Sequence, residues 1–95
     1  MAARSEMKNT DIKIGDRVRS FDFDTSRALE GERACYVEGE VIGFTELEGC
    51  RRYEIRVGLD VFGGARRGGR VGYTVRPPVN GTPTWHGVTN FVEKV

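Results

Sequence analysis

Arginine is the most frequent side chain in this sequence that could bind a ligand, and glycines surround its densest cluster. Twelve of the fifteen basic residues are arginines, and residues 63–72 hold Arg66, Arg67 and Arg70 among five glycines. A guanidinium group presents a planar fork of donors that matches the oxygens of phosphate or carboxylate, and glycine lets the backbone approach a ligand closely. We therefore expect residues 63–72 to form a flexible loop in which the three arginines bind phosphate groups.

The charge is divided along the chain although the net charge is only +1. Residues 51–76 hold seven arginines and two acids, whereas residues 22–48 hold eight acids and two arginines. The two segments could pair across strands, at about 0.2–1 kcal/mol per pair. If Val41 lies opposite Val57, Glu46 faces Arg52, and the three loop arginines stay unpaired. The acidic half disfavours binding in a groove of duplex DNA, because like charges repel.

Aromatic side chains could add base stacking, at about 1–3 kcal/mol per base. Tyr36 and Phe44 have the opposite parity to the valines of their strand, so they are predicted to face outward together with Phe21. The same three rings could instead form a protein-binding patch or a second small core under a loop at 24–34. Trp85 either lines a pocket or plugs one end of the fold. The candidate nucleic-acid-binding residues are Arg66, Arg67, Arg70, Tyr36, Phe44 and Trp85.

Alternation of apolar and polar residues predicts the elements that hold these side chains. One run has Val37, Gly39, Val41 and Gly43 on one face, and a second has Tyr53, Ile55, Val57, Leu59 and Val61. This period is typical of half-buried antiparallel strands, and a turn at 47–51 joins the two runs into a long hairpin. Shorter runs at 16–23, 73–76 and 91–95 bring the total to five strands. Tyr73 is expected in the core, residues 1–10 as a disordered leader, and residues 11–95 as one domain.

The layout resembles an SH3-like small barrel: five short strands, a long central hairpin and a tight connector before the last strand. Ile14-Gly-Asp-Arg-Val18 is similar to the opening strand of many Tudor-type and KOW-type domains, and the resemblance covers about residues 13–95. The chain departs from KOW domains in lacking their glycine-centred motif, and from Tudor-type domains in lacking a set of loop aromatics. An OB-like barrel is an alternative, although it is usually longer. Arg66-Arg67-Gly68-Gly69-Arg70 resembles the Arg-Gly-Gly elements of RNA-binding tails, which implies RNA as a ligand.

Catalytic and metal-binding motifs are missing from the sequence. It contains neither a Gly-x4-Gly-Lys-Ser/Thr loop nor a Gly-x-Ser-x-Gly elbow, and two cysteines with one histidine do not complete a usual four-ligand zinc site. We expect no enzymatic activity and no cofactor. Cys35 and Cys50 lie at opposite ends of the predicted hairpin, which predicts free thiols and a cytoplasmic protein.

The sequence thus predicts a small non-enzymatic protein that binds RNA or single-stranded nucleic acid as a monomer or a homodimer. The alternative is a protein-interaction module or small inhibitor, an accessory protein of the kind found in phages and mobile elements, that uses its acidic or aromatic face. A small-molecule sensor with a pocket near Trp85 is a third hypothesis.

Overall fold

The computed structural model describes residues 12–22, 34–85 and 87–95, and the regular structure in these ranges is entirely β. Six antiparallel strands form a sheet that curls into a half-barrel, and two more form a separate hairpin. The predicted small, barrel-like all-β fold is therefore confirmed. The strands are β1 (Arg17–Phe21), β2 (Tyr36–Leu47), β3 (Cys50–Phe62), β4 (Ala65–Arg66), β5 (Thr74–Val75), β6 (Pro83–Thr84), β7 (Gly87–Val88) and β8 (Val92–Lys94).

The predicted central hairpin consists of β2 and β3 and is joined by a two-residue turn at Glu48 and Gly49. Both residues have positive φ, 54° and 74°, which is the type I′ geometry that suits the twist of a hairpin. The strand order is β4-β3-β2-β1-β8, and β5 pairs with β3 along the same edge as β4. The half-barrel is thus built outward from this hairpin.

The predicted register of the hairpin is wrong because the turn contains only two residues, which pairs Leu47 with Cys50, and because each long strand also carries a bulge. Val41 lies opposite Ile55 rather than Val57, and the pairing shifts at Ile42 in β2 and at Gly58 in β3. One extra residue inverts the alternation of faces beyond it. Phe44 therefore turns inward opposite Tyr53, and Val61 shares the outer face with Tyr36.

Five of the eight strands correspond to the predicted runs, and three short ones do not. Two-residue β4 lies in the predicted flexible loop, and the β6–β7 hairpin replaces the turn-rich connector. Ladders of two residues are too short to produce a period-two pattern. The predicted leader at 1–10 and nearly all of the predicted loop at 24–34 lie outside the described residues.

The core lies on the concave face of the sheet. Val18, Val41, Tyr53, Ile55 and Val92 are buried, and Phe44, Val75, Val79 and Phe91 pack against them. These residues come from β1, β2, β3, β5 and β8 and from the connector after β5, so every long segment contributes to one core. Burying each large side chain stabilises the fold by about 1.5–3 kcal/mol.

The bulged register predicts that two neighbouring glycines respond differently to substitution. An alanine Cβ at Gly39 would lie 1.9 Å from the carbonyl oxygen of Arg56, whereas at Gly58 the nearest atom is 3.9 Å away. Gly39→Ala should lower the free energy of unfolding by about 1–3 kcal/mol or more because backbone must move, and Gly58→Ala should leave it nearly unchanged. Urea denaturation of both variants measures this. Equal losses would contradict the register.

Candidate functional site

Arg70, in the segment between β4 and β5, binds two carboxylates from distant parts of the chain. Its Nε and Nη2 donate to Asp60 Oδ1 at 3.0 and 2.7 Å, and its backbone N–H donates to Asp60 Oδ2 at 2.9 Å. Its Nη1 and Nη2 also donate to the two oxygens of Asp22, at 2.9 and 3.3 Å. We call this arrangement, Arg70 with Asp60 and Asp22, the arginine clasp.

The bulge at Gly58 explains why the clasp forms. Beyond it, Asp60 pairs with the inward-facing Val37, so its carboxylate lies on the buried side of the sheet with only 5% of the side chain exposed. A buried carboxylate is costly unless it is paired and hydrogen-bonded, and here it accepts three hydrogen bonds from Arg70. Arg67 N–H also donates to the Asp60 carbonyl at 2.9 Å. The glycine-rich segment is therefore folded onto β3.

The clasp corrects the expectation that all three loop arginines are unpaired. Arg70 is neutralised by Asp60, ten residues before it, and by Asp22, forty-eight residues before it. The hydrogen bonds from Arg70 hold the pKa of Asp60 below its ordinary value, although burial opposes them. The hydrogen bonds that Arg70 makes to Asp22, and after them those to Asp60, raise the pKa of Arg70. Both shifts favour the charged forms, so Asp60 and Arg70 are held as an ion pair.

Geometrically, the clasp connects two strands that are not neighbours. Asp22 directly follows β1 and Asp60 lies in β3, with β2 between them in the sheet. Arg70 thus spans β2 at one end of the half-barrel.

Two cavities meet at the ion pair of Arg70 and Asp22. One, of about 690 Å³, is also lined by Cys35, Phe62 and Arg67. The other, of about 310 Å³, reaches Val75, Pro78 and Phe91.

The solvent-exposed side of the glycine-rich segment and its flanking residues combines cations with aromatic rings. Arg66 and Arg67 are exposed, and no described carboxylate contacts either of them; Arg67 Nε donates to the Phe62 carbonyl at 3.4 Å. Phe62 is 57% exposed and Tyr73 is 68% exposed. We call these four residues, Phe62, Arg66, Arg67 and Tyr73, the arginine–aromatic edge.

Sequence reasoning missed both aromatic residues of this edge. Tyr73 was predicted in the core because it shares the parity of Val71 and Val75, but the ladder of β5 begins only at Thr74. Phe62 ends β3 next to the glycines. Their position in the sequence was the signal that could have identified them, because these two aromatic residues flank the glycine–arginine stretch on either side.

Most other arginines of the described ranges are occupied within the protein. Arg17 and Arg19 both bind Glu38, each at 3.0 Å, and Arg76 binds Glu54 at 3.1 Å. The observed register changes the predicted pairs, since the two-residue turn places Glu46 opposite Arg51 rather than Arg52, and Arg56 lies opposite Glu40 rather than Ile42. The ion pairs of Glu38 and Glu54 do not join the acidic segment 22–48 to the basic segment 51–76; among the described ion pairs, that of Arg70 with Asp22 does so.

The remaining predicted site residues lie apart from one another. Phe44 is not outward: its ring packs 5.6 Å from that of Tyr53 in the core, with the Arg51 guanidinium over it at 4.8 Å. Tyr36 is on the outer face, where its ring contacts Phe21 at 5.5 Å and the Arg19 guanidinium at 4.3 Å.

Tyr36 is the one predicted aromatic that lies near the loop arginines. It pairs with Val61, which in turn pairs with Arg66. Neighbouring strands are about 4.8 Å apart, so Tyr36 and Arg66 lie about 10 Å apart on one face.

Trp85 neither lines a described pocket nor plugs the fold. It lies in the turn of the β6–β7 hairpin and is 94% exposed. The chain leading to this hairpin is held to the start of β3, where Val79 N–H donates to the Arg51 carbonyl. The hairpin is therefore anchored at the opposite end of β3 from the clasp. His86 lies outside the described residues.

Within the described residues, no three His, Cys, Asp or Glu side chains are grouped so that they could hold a metal ion. No helix in those ranges has the length and apolarity needed to cross a membrane. Cys35 and Cys50 are free thiols, as predicted. No protein-family model, curated protein or solved structure matches this chain.

The clasp predicts a specific acid sensitivity. Because the folded-state pKa of Asp60 is below its ordinary value of 3.8, its contribution to stability is complete above that value and is lost as the pH falls through the folded pKa. Asp60→Asn should lower the free energy of unfolding at pH 7 by about 2–3 kcal/mol and should flatten its decline between about pH 5 and pH 2. Urea denaturation across this pH range measures both effects. The exposed Glu46→Gln is the control, and a pH profile of Asp60→Asn parallel to that of the unsubstituted protein would contradict the assignment.

Proposed function

We propose that this protein is a small non-enzymatic binding protein that holds RNA or another single-stranded nucleic acid on its arginine–aromatic edge. One observation carries the proposal: Arg66 and Arg67, which contact no described carboxylate, lie along the chain between two exposed aromatic residues, Phe62 and Tyr73. The clasp holds the same segment against the sheet, so these groups are presented from an ordered backbone. This ordering lowers the entropy lost on binding.

The chemistry of the edge suits a single strand better than a duplex. Guanidinium groups bind phosphate oxygens in a bidentate manner, and exposed rings stack on bases only where the bases are not already paired. The backbone carbonyl of Tyr73 accepts a hydrogen bond from Val57 N–H. Val57 lies five residues before Phe62 in β3. The backbones of Tyr73 and Phe62 are therefore about 15 Å apart, which leaves room for bases and phosphates along the edge.

A cytoplasmic location is part of the proposal, because nucleic acid is available there and two free thiols suit a reducing compartment. A small-molecule sensor near Trp85 has less support, because neither described cavity is lined by Trp85.

A second candidate function is binding of a protein partner through Trp85. A tryptophan that is 94% exposed on a hairpin held by the hydrogen bond from Thr84 Oγ1 to the Gly87 carbonyl at 2.7 Å is the type of residue that anchors protein interfaces. The acidic face has less support as a docking site, because arginines already occupy two of its acids, Asp22 and Glu38.

Removing the two edge cations should weaken nucleic-acid binding and its salt dependence together. Arg66→Gln with Arg67→Gln is expected to lower the affinity for a fluorescent single-stranded oligonucleotide at least about tenfold at 50 mM salt, and to reduce the slope of log K against log salt by roughly 1.4. Fluorescence anisotropy at several salt concentrations measures both quantities. Lys13→Gln with Lys94→Gln removes the same charge near Asp16, at the start of β1, and should change the affinity far less. Equal effects of the two pairs, or binding that ignores salt, would defeat the proposal.

Aromatic substitutions distinguish the two candidate surfaces. Phe62→Ala and Tyr73→Ala should each weaken oligonucleotide binding by about 5- to 150-fold, which corresponds to the loss of one stacked base. Trp85→Ala should leave it unchanged, because the hairpin is anchored at the far end of β3. The same anisotropy titration measures all three variants. Loss of binding only in Trp85→Ala would instead place the nucleic acid on the hairpin.

A further inference from the structure

We propose that Arg70 is itself a phosphate-binding residue of the edge, and that Asp22 occupies the place of the phosphate until a ligand displaces it. This inference rests on the proposed function and adds to it a third cation, a competing carboxylate and a positioning residue, Asp60. We call this arrangement the latch: Asp60 stays bound to Arg70, and Asp22 is exchanged for the phosphate.

The two carboxylates hold the guanidinium in different ways. Asp60 is almost completely buried and accepts from Nε, Nη2 and the backbone N–H of Arg70. It therefore fixes both the position of the loop and the plane of the guanidinium. Asp22 has 32% of its side chain exposed and accepts only from the two terminal nitrogens. Asp60 is the positioning residue, and Asp22 covers the end of the fork.

A phosphate, the group that the edge is proposed to bind, can replace Asp22 on Arg70. A partly exposed ion pair contributes only about 0–1 kcal/mol, whereas a phosphate presents more charge and a matching pair of oxygens to the same fork. No rearrangement of Arg70 is required for the exchange, because Asp60 keeps the guanidinium in place.

The surroundings of the Arg70–Asp22 pair place this exchange next to the edge. The pair lines the cavity of about 690 Å³ together with Arg67 and Phe62, two members of the arginine–aromatic edge. A phosphate that entered this cavity would find a cation from Arg67 and one from Arg70. The next base would lie beside the exposed ring of Phe62. The cavity thus extends the proposed site inward.

Opposite effects of two similar substitutions test the latch. Asp22→Asn and Asp60→Asn each remove one negative charge, so long-range electrostatics alone would tighten nucleic-acid binding in both. The latch instead predicts about three- to tenfold tighter binding for Asp22→Asn, because the fork is released in its correct orientation. It predicts weaker binding for Asp60→Asn, because the fork and the loop lose their support.

The experiment measures oligonucleotide affinity by anisotropy for the unsubstituted protein, both variants, Arg70→Gln, and Asp22→Asn combined with Arg70→Gln. The gain from Asp22→Asn should vanish when Arg70 is absent, and this result does not depend on the folding of Asp60→Asn. Tightening of both acid variants alike, or a gain that survives Arg70→Gln, would overturn the latch.

A second readout separates the latch from the proposed function. Inorganic pyrophosphate, titrated while the Arg70 Nε–H resonance is followed by NMR, should shift that resonance at lower concentration in Asp22→Asn than in the unsubstituted protein. If no variant binds the oligonucleotide but this difference is present, the proposed function fails and the phosphate site stands. If the two proteins respond equally, or neither responds, the latch is wrong whatever the oligonucleotide does.

Discussion

The buried carboxylate of Asp60 is the constraint on which the arrangement of this protein depends. It lies on the inner side of the sheet because the bulge at Gly58 reverses the alternation of β3, and a charge in that position requires a partner. Arg70 is that partner. To reach it, the glycine-rich segment must fold back along β3, which brings Asp22 and the end of β1 into the same ion pair and leaves Arg66 and Arg67 facing solvent.

Such a clasp has particular value in a chain of 95 residues. A domain of this size buries a modest core, and small proteins often need cross-links to supplement it. Both cysteines are free thiols, and the last strand, β8, pairs with only three residues of β1. A guanidinium that joins β1 to β3 across β2 supplies a polar tie at one end of the half-barrel. It also couples the stability of the fold to the geometry of the proposed binding edge.

Charge in this protein has two separate uses. On the outer face, Glu38 is shared by Arg17 and Arg19, and Glu54 is held by Arg76, so part of the charge is neutralised locally. Among the described arginines, Arg66 and Arg67 of the glycine-rich segment bind no described carboxylate, and neither do Arg51, Arg52 and Arg56 of β3. A basic edge therefore arises on a nearly neutral protein because the acids beside it, Asp22 and Asp60, are already bound by Arg70.

The sequence by itself determined the all-β class, the long central hairpin with its turn, the free thiols and the glycine–arginine segment, because alternation, turn chemistry and composition are local properties. Tertiary structure alone decided which way Phe44, Val61 and Tyr73 face, since single extra residues at Ile42 and Gly58 reverse parity and the ladder of β5 begins only after Tyr73. It also decided the pairing of Arg70, because Asp22 is forty-eight residues away along the chain. Contacts across such separations depend on how the sheet curls, and no period in the sequence records that curvature.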